Sequence, residues 1–369
     1  MPGTTFETIV VDNASGDGSA EAIRAAVPAA TVEELPENVG FGRAMNRAAR
    51  HARGDWLLLV NPDTEPDGDV VSALVAYATA HPEHGIYTGR TLHPDGTDDM
   101  RSCFALPTLR QYVAFALGLS TLGRRFRRLG PLFNPEELPG YDRTTAREVP
   151  AVSGCLMLIR RDLFTALGGF TPDYFMYSED IDLCVRARER GARPVLVPDA
   201  RLLHLGGASA GTSSRKIVML LRGKCTFVRL RWTPGRAATA RFLIAAGVGL
   251  RGGLAALLGR KSPWREVWRA RRVWLAGWPA PEPAPTLTRH SASTPDPTST
   301  FELPRRPPWS GPSLPRPHPP PSPTSTQGPA QPARARVPPG LPERGLAYRA
   351  MPLGWGLATV TARGGWPIP

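Results

Sequence analysis

No stretch of this 369-residue sequence reaches the roughly 18 uninterrupted apolar residues that cross a bilayer as a helix. The nearest, Phe242 to Leu258, is rich in Ala, Gly and Leu but is broken by Arg251. It reads as a core helix or as one lying in a membrane interface. The first residues lack the basic segment and apolar core of a secretory signal. Cysteine is scarce: four residues, at 103, 155, 184 and 225, with no C-x-x-C pair. Neither a cysteine zinc site nor a dithiol redox pair is indicated, and scattered single cysteines suit burial in a reducing cytoplasm. Lysine is absent from 281–369, which holds 23 of the 41 prolines. Such a segment buries too little apolar surface to offset chain entropy and reads as disordered.

Charge is unevenly spread. The formal net charge is +13, yet fifteen Lys/Arg against the single acid Glu266 lie between Arg215 and Arg272, and the N-terminal part is mildly acidic. A basic block is either a solvated helical surface or an attraction to lipid headgroups, lipid pyrophosphate or nucleic acid. Nucleic acid is disfavoured, because aromatic-interleaved basic motifs and C-x-x-C fingers are lacking.

Hydrophobic residues make up 41%, enough for a sizeable core. Short apolar runs at 6–11, 31–35, 55–60 and 85–89 alternate with helical spacing at 19–27, 39–52 and 67–80, which argues for a parallel α/β sheet. Asp95-Gly96 marks a hairpin turn. Loop and helix follow over 107–140. The run 149–160 reads as one buried strand, 178–189 as a helix, 193–197 and 200–205 as two strands. Basic helices are expected at 213–232, 236–258 and 263–276.

Five constellations carry chemistry. In Val10-Val11-Asp12-Asn13-Ala14-Ser15-x-Asp17-Gly18-Ser19 a strand delivers an acid to the carboxyl edge of the sheet, where such sheets bind ligands. That carboxylate can accept the N3–H of uracil or thymine, and Ser15 or Asp17 can equally cap the next helix. Asn38-x-Gly40-Phe41-Gly42-x-x-x-Asn46 is a glycine turn that lets backbone approach a phosphate, or simply a tight strand-to-helix turn. Leu57 to Val60 run into Asn61-Pro62-Asp63, oxygen donors of the kind Mg²⁺ and Mn²⁺ prefer, although a lone Asp at a strand end is also a common turn residue. Glu179-Asp180-Ile181-Asp182 puts three carboxylates in four positions, either complementing a helix dipole or forming a general base with helpers. His204 follows an apolar strand, and neutral imidazole is a good Mn²⁺ ligand.

Taken in order, VVDNAS-DGS, NVGFGRAMN, LLLVNPDTE, VSGCLMLIRRDLFTALGGF, FMYSEDIDLCVRARERG and HLGGAS resemble the family 2 inverting glycosyltransferases, especially the bacterial rhamnosyltransferase-like branch, over about residues 6–232. The resemblance implies an α/β fold of the GT-A type, a mixed sheet flanked by helices that binds a nucleotide-diphospho sugar. It divides the chain into a catalytic domain over 1–212, basic helices over 213–278 that could associate with a membrane, and a Pro-rich disordered tail over 279–369. It implies that Asp12 contacts the base, with Asn13 and Ser15 beside it. Asn38, Gly40, Asn46 and Asn61 line the donor site, and Asp63 and His204 hold Mg²⁺ or Mn²⁺. Asp180 is the catalytic base, aided by Glu179 and Asp182. The implied donor is dTDP- or UDP-linked. The acceptor is a glycan or a polyprenyl-diphosphate-linked glycan, used in cell-wall or surface polysaccharide synthesis at the cytoplasmic face of an anionic plasma membrane. Members of the family usually carry another strand and helix ahead of the VVDNAS-type strand. This sequence starts just before that strand, so the sheet position beside it lacks its usual occupant. An N-terminally truncated, inactive nucleotide-sugar-binding remnant of the same fold is the alternative expectation.

Overall fold

The first quarter of the chain alternates strand and helix: β1 (Thr5–Asp12), α1 (Ser19–Ala26), β2 (Thr31–Glu34), α2 (Phe41–His51), β3 (Trp56–Val60), β4 (Thr64–Asp67), α3 (Val70–Ala80) and β5 (Ile86–Leu92). An irregular stretch holds β6 (Cys103–Phe104), α4 (Leu109–Ala116), α5 (Leu119–Arg125), α6 (Gly130–Phe133), β7 (Arg147–Glu148) and β8 (Ala151–Val152). Then come β9 (Leu156–Arg160), α7 (Arg161–Ala166), α8 (Glu179–Glu189), β10 (Val195–His204), α9 (Ser214–Arg231), α10 (Pro234–Leu257), α11 (Pro263–Arg269), α12 (Arg271–Ala276) and β11 (Gly356–Arg363). The structure, a computed structural model, describes residues 5–126, 129–138, 140–204, 213–280 and 356–363. Leu205, Gly206 and Gly207 of the histidine motif lie outside these residues, as does most of the tail.

Side-chain alternation gives the sheet two apolar faces. On β3, Leu57 and Leu59 join one core and Leu58 the other; on β9, Met157 and Ile159 oppose Leu156 and Leu158 in the same way. The first face is covered by Ala44, Met45 and Ala48 of α2, one stripe at helical spacing, and the second by Leu74 and Ala78 of α3. Each fully buried Leu, Ile or Met contributes about 1.5–3 kcal/mol.

The strand order is β2-β1-β11-β3-β9-β5-β10-β4, with β7 beside β10 and β6–β8 as a separate ladder. Among the described strands, only β1–β2 and β5–β10 are parallel. Alternation alone suggests a parallel sheet; the sheet is mixed, as the resemblance implies. The physical reason lies in β9, which enters at the end where β3 and β5 finish and so runs against both.

Four details differ from the sequence expectation. The run 149–160 is broken at Ser153–Cys155, where backbone groups turn towards other partners. The two strands expected over 193–205 are one, β10, with an irregularity between Leu196 and Arg201. The third basic helix divides at Ala270 into α11 and α12. Within the tail expected to be disordered, Gly356–Arg363 forms β11, antiparallel to β1 over eight residue pairs and to β3 over five. This Pro-free segment with adjoining β-branched residues, Thr359, Val360 and Thr361, is hidden by the composition around it. It fills the position beside β1 that would otherwise leave two buried ladder edges unpaired.

The boundary expected at 212/213 is not a break in packing. Ile217, Leu221, Phe227, Val248 and Trp274 belong to the same core as Met45 and Met157. A Cβ on Gly223 of α9 would stand 2.3 Å from the Tyr177 carbonyl oxygen, so α9 lies directly against the loop that leads into α8. Helix α10 is long and apolar enough to cross a membrane by length and composition, with only 28% of its most apolar window buried.

Candidate active site

Strand β1 carries Asp12 to the sheet edge, where its carboxylate accepts the Ser15 N–H at 3.0 Å. Asp17 accepts the Ser19 N–H just ahead of α1, whose N-cap is Gly18. Ser15 Oγ is buried, and the hydroxyls of Ser19 and then Ser15 hold the Asp17 carboxyl below its usual value. Asn13 is used differently from the expectation. Its amide donates to Asn38 Oδ1 and the Gly40 carbonyl, and its Oδ1 accepts the Val39 N–H at 2.8 Å. Asn38 in turn accepts the Gly40 N–H. Asn13 and the Oδ1 of Asn38 therefore clasp two loops together. Gly40 has φ 87°, and a Cβ there would stand 2.1 Å from the Phe175 carbonyl oxygen, so this glycine seats the Phe175 segment. Asn46 exchanges two hydrogen bonds of 2.8 Å with the Phe170 backbone and is likewise a structural clamp.

The exit of β3 is chemically unsettled. Asn61 gives its backbone N–H to the Cys155 carbonyl and its amide to Cys155 Sγ, but its Oδ1 is buried without a partner. Asp63 Oδ1 is buried and unpartnered too, while Oδ2 lies 3.2 Å from His204 Nε2. On the other side of that ring, His204 Nδ1 lies 3.1 Å from Asp99 Oδ2. The hydrogen bonds to Asp63 and then Asp99 push the His204 pKa up to about 9. Asp99 is held by the Thr91 hydroxyl and the Arg101 N–H. Burial pulls its pKa upward, but His204 and Thr91 outweigh that and leave it below the usual carboxylate value. A carboxylate behind a histidine fixes its tautomer and aims its other nitrogen. Sequence spacing pointed to Asp63 and His204 but not to Asp99, because the turn after β5 alone decides that position 99 lies behind His204.

Helix α8 begins under strain: Tyr177 and Ser178 both have positive φ, 68° and 75°, a conformation costing about 1–3 kcal/mol per residue. The turn separates the three carboxylates into different environments. Glu179 is 4% exposed, with Oε2 unpartnered. Burial, then the neighbouring Asp180, raises its pKa well above the carboxylate range. Asp180 is less buried and accepts N–H groups from Gly154 at 3.2 Å and Ile181 at 2.8 Å. Burial raises its pKa and those two donors oppose the rise. Asp182 is corrected from helper to anchor. It is fully buried, 2.9 Å from Arg186 and 2.5 Å from Arg231, and also bonded to Thr171. Burial acts upward on its pKa, but Arg231, Thr171 and Arg186 hold it below the usual value.

Two cations missed from the sequence complete the surroundings. Lys216, in the first turn of α9, is close enough to Arg101 and Asp63 for their charges to act on it, and burial followed by Arg101 lowers its pKa. No residue spacing links 101 to 216; the packing of α9 brings them together.

Comparison with known proteins gives this arrangement its class. The family model described as "Glycosyl transferase family 2" matches residues 2–168. An N-acetylglucosaminyl-diphospho-decaprenol L-rhamnosyltransferase of Mycobacterium tuberculosis is 30% identical over 224 residues, 55% of this chain and 67% of its own. The rhamnosyltransferase WbbL of Escherichia coli is 28% identical over 175 residues, 45% of this chain and 60% of its own. Among solved structures, the mannosyltransferase PcManGT of Pyrobaculum calidifontis, in complex with GDP-Man and Mn²⁺, aligns with a TM-score of 0.41 and 19% identity over 73% of this chain and 75% of that one. The chain belongs to glycosyl transferase family 2, and is a glycosyltransferase.

Proposed function

We propose that this glycosyltransferase is inverting and depends on Mg²⁺ or Mn²⁺. It moves a sugar, rhamnose, from a dTDP- or UDP-linked donor to a glycan carried on a polyprenyl diphosphate, in bacterial cell-wall or surface polysaccharide synthesis. The observation that carries this reading is the pair of buried, unpartnered oxygens Asn61 Oδ1 and Asp63 Oδ1 beside His204. Oxygen and imidazole donors at a sheet edge fit a hard divalent cation, so Asp63 and His204 would hold it, with Asn61 adjacent. When bound, such an ion neutralises charge developing on the leaving diphosphate. Lys216 and Arg101 add positive charge on the same side. Asp12 accepts the N3–H of the base and Ser15 Oγ bonds the nucleoside. Asp180 accepts two N–H groups that favour its ionised form, and it takes the proton of the acceptor hydroxyl. Attack from the side opposite the diphosphate inverts the anomeric carbon. The name of the mycobacterial relative specifies a rhamnosyl group and a polyprenyl-diphosphate acceptor, which supports the same pair here.

The unfolding midpoint of the full chain, measured with Mn²⁺ and dTDP, UDP or GDP, tests the donor site. One nucleotide raises it in the presence of metal, by about 2.7 kcal/mol of stability at 100 times its dissociation constant, and Asp63→Ala abolishes the rise. A midpoint that ignores every nucleotide sinks the reading and favours an inactive remnant of the same fold.

A lipid-linked acceptor requires the enzyme to reach a membrane. Helix α10 exposes Phe242, Leu250, Leu254 and Leu257 along an uncharged stripe, where a helix facing water carries polar residues. The basic block adds about 1 kcal/mol per Lys or Arg near an anionic surface. Co-sedimentation with anionic vesicles is expected and weakens with salt. Equal binding to neutral vesicles at high salt contradicts the electrostatic part.

A further inference from the structure

At the opposite edge of the sheet, where β5 begins, His81-Pro82-Glu83-His84 brings together metal-ligating groups that the transfer reaction does not use. His81 ends α3, and Pro82–His84 form a single 3-10 turn. One donor atom from each of His81, Glu83 and His84 lies within 4.8 Å of the other two. Glu83 Oε1 stands 3.7 Å from His81 Nδ1 and 3.9 Å from His84 Nε2. These separations are too long for hydrogen bonds between the groups. They lie slightly beyond the spacing of about 3.3 Å between ligands held at about 2.0 Å around a tetrahedral ion. A small side-chain adjustment closes the difference, because His81 is half exposed and free to move.

Three further features favour a cation here. His84 is only 5% exposed, and its Nδ1 is buried without a hydrogen-bond partner. That nitrogen lies 3.7 Å from Glu148 Oε1 on β7. An ion on Nε2 would place the ring proton on Nδ1, facing that carboxylate, the arrangement that orients metal-binding histidines. The Tyr77 ring flanks both imidazoles, with centroids 4.5 Å from His81 and 6.2 Å from His84. The group also sits at the C-terminal end of α3, the negative end of the helix dipole.

We propose that His81, Glu83 and His84 form a second cation site for a borderline transition ion such as Zn²⁺, with a fourth position left to water. Two imidazoles and one carboxylate select such an ion over Mg²⁺ or Ca²⁺, which favour all-oxygen shells. Its role is structural: it joins the end of α3 to the start of β5 and, through Glu148, to β7. The seven-residue β5 keeps it about 20 Å from the donor site at the other edge.

Zn²⁺ titrated into the full-length Asp63→Ala protein in competition with a chromophoric chelator tests this without interference from the donor site. One Zn²⁺ binds per chain and raises the unfolding midpoint. Adding His81→Ala or Glu83→Gln weakens binding at least tenfold and removes the rise, and Glu148→Gln weakens it about tenfold. An unchanged midpoint of the variants without zinc shows that they fold. Equal titration curves with and without His81→Ala overturn the proposal. So does a failure of Asp63→Ala to bind Zn²⁺, which assigns any ion to the donor site.

Discussion

Replacing Asp180 with asparagine lowers the transfer rate by about two to four orders of magnitude, the usual contribution of a positioned general base, while nucleotide- and metal-dependent stabilisation survives. The argument rests on how the structure divides the charge of the acidic motif. Glu179 is almost fully buried, and burial followed by the neighbouring Asp180 raises its pKa. Asp182 is spent on two arginines. Asp180 is the least buried of the three and accepts two N–H groups that stabilise its charged form. Asparagine keeps the size and one acceptor oxygen but takes no proton. In the wild-type enzyme, burial raises the Asp180 pKa, so the acidic limb of the rate profile lies above the ordinary carboxylate range. Activity is lost as pH falls through that limb, because only the ionised carboxylate accepts a proton. Transfer assays across pH, with a thermal shift on the same variant, check both halves. Full activity in Asp180→Asn removes this residue from the reaction.

Asp182→Ala destabilises the protein by about 3–5 kcal/mol, the cost of stranding partners of a buried ion pair. Arg186 and Arg231 are both largely buried and converge on one carboxylate with no exposed surface. Arg186 also donates to the Leu167 and Gly169 carbonyls, and the bond from Arg231 to Asp182 closes α9 onto α8. Truncating Asp182 therefore loosens α9, and with it Lys216. Denaturant unfolding measures the loss. A change below about 1 kcal/mol accompanied by loss of transfer would return Asp182 to the catalytic role suggested by its motif.

Much of the site was legible in sequence because strand ends are legible. An apolar run stopping at Asp12 or at Asn61-Pro62-Asp63 announces both an element and the edge it reaches. The same pattern could not separate ligand-facing groups from loop clasps. Asn13, Asn38 and Asn46 have the composition of donor-site residues, yet the structure uses their amides on neighbouring backbone. Asp99 carried no signal, since its relation to His204 spans 105 residues and depends on a turn. The direction of β9 was hidden for a similar reason: a single strand pattern is the same in either direction.

Local chemistry along the chain, acting over a few residues, was enough to determine the alternating elements, the family and the motifs at β1, β3, α8 and β10. Steric alternation, turn preference and charge spacing are short-range, and a sequence displays them directly. Tertiary packing decided what those rules leave open. It placed β11 between β1 and β3, packed α9 against the Tyr177 loop, and set Asp99 behind His204. It also gave three adjacent carboxylates three different roles. Those outcomes depend on which buried groups find partners across the fold, a condition that is met only when distant segments are brought together.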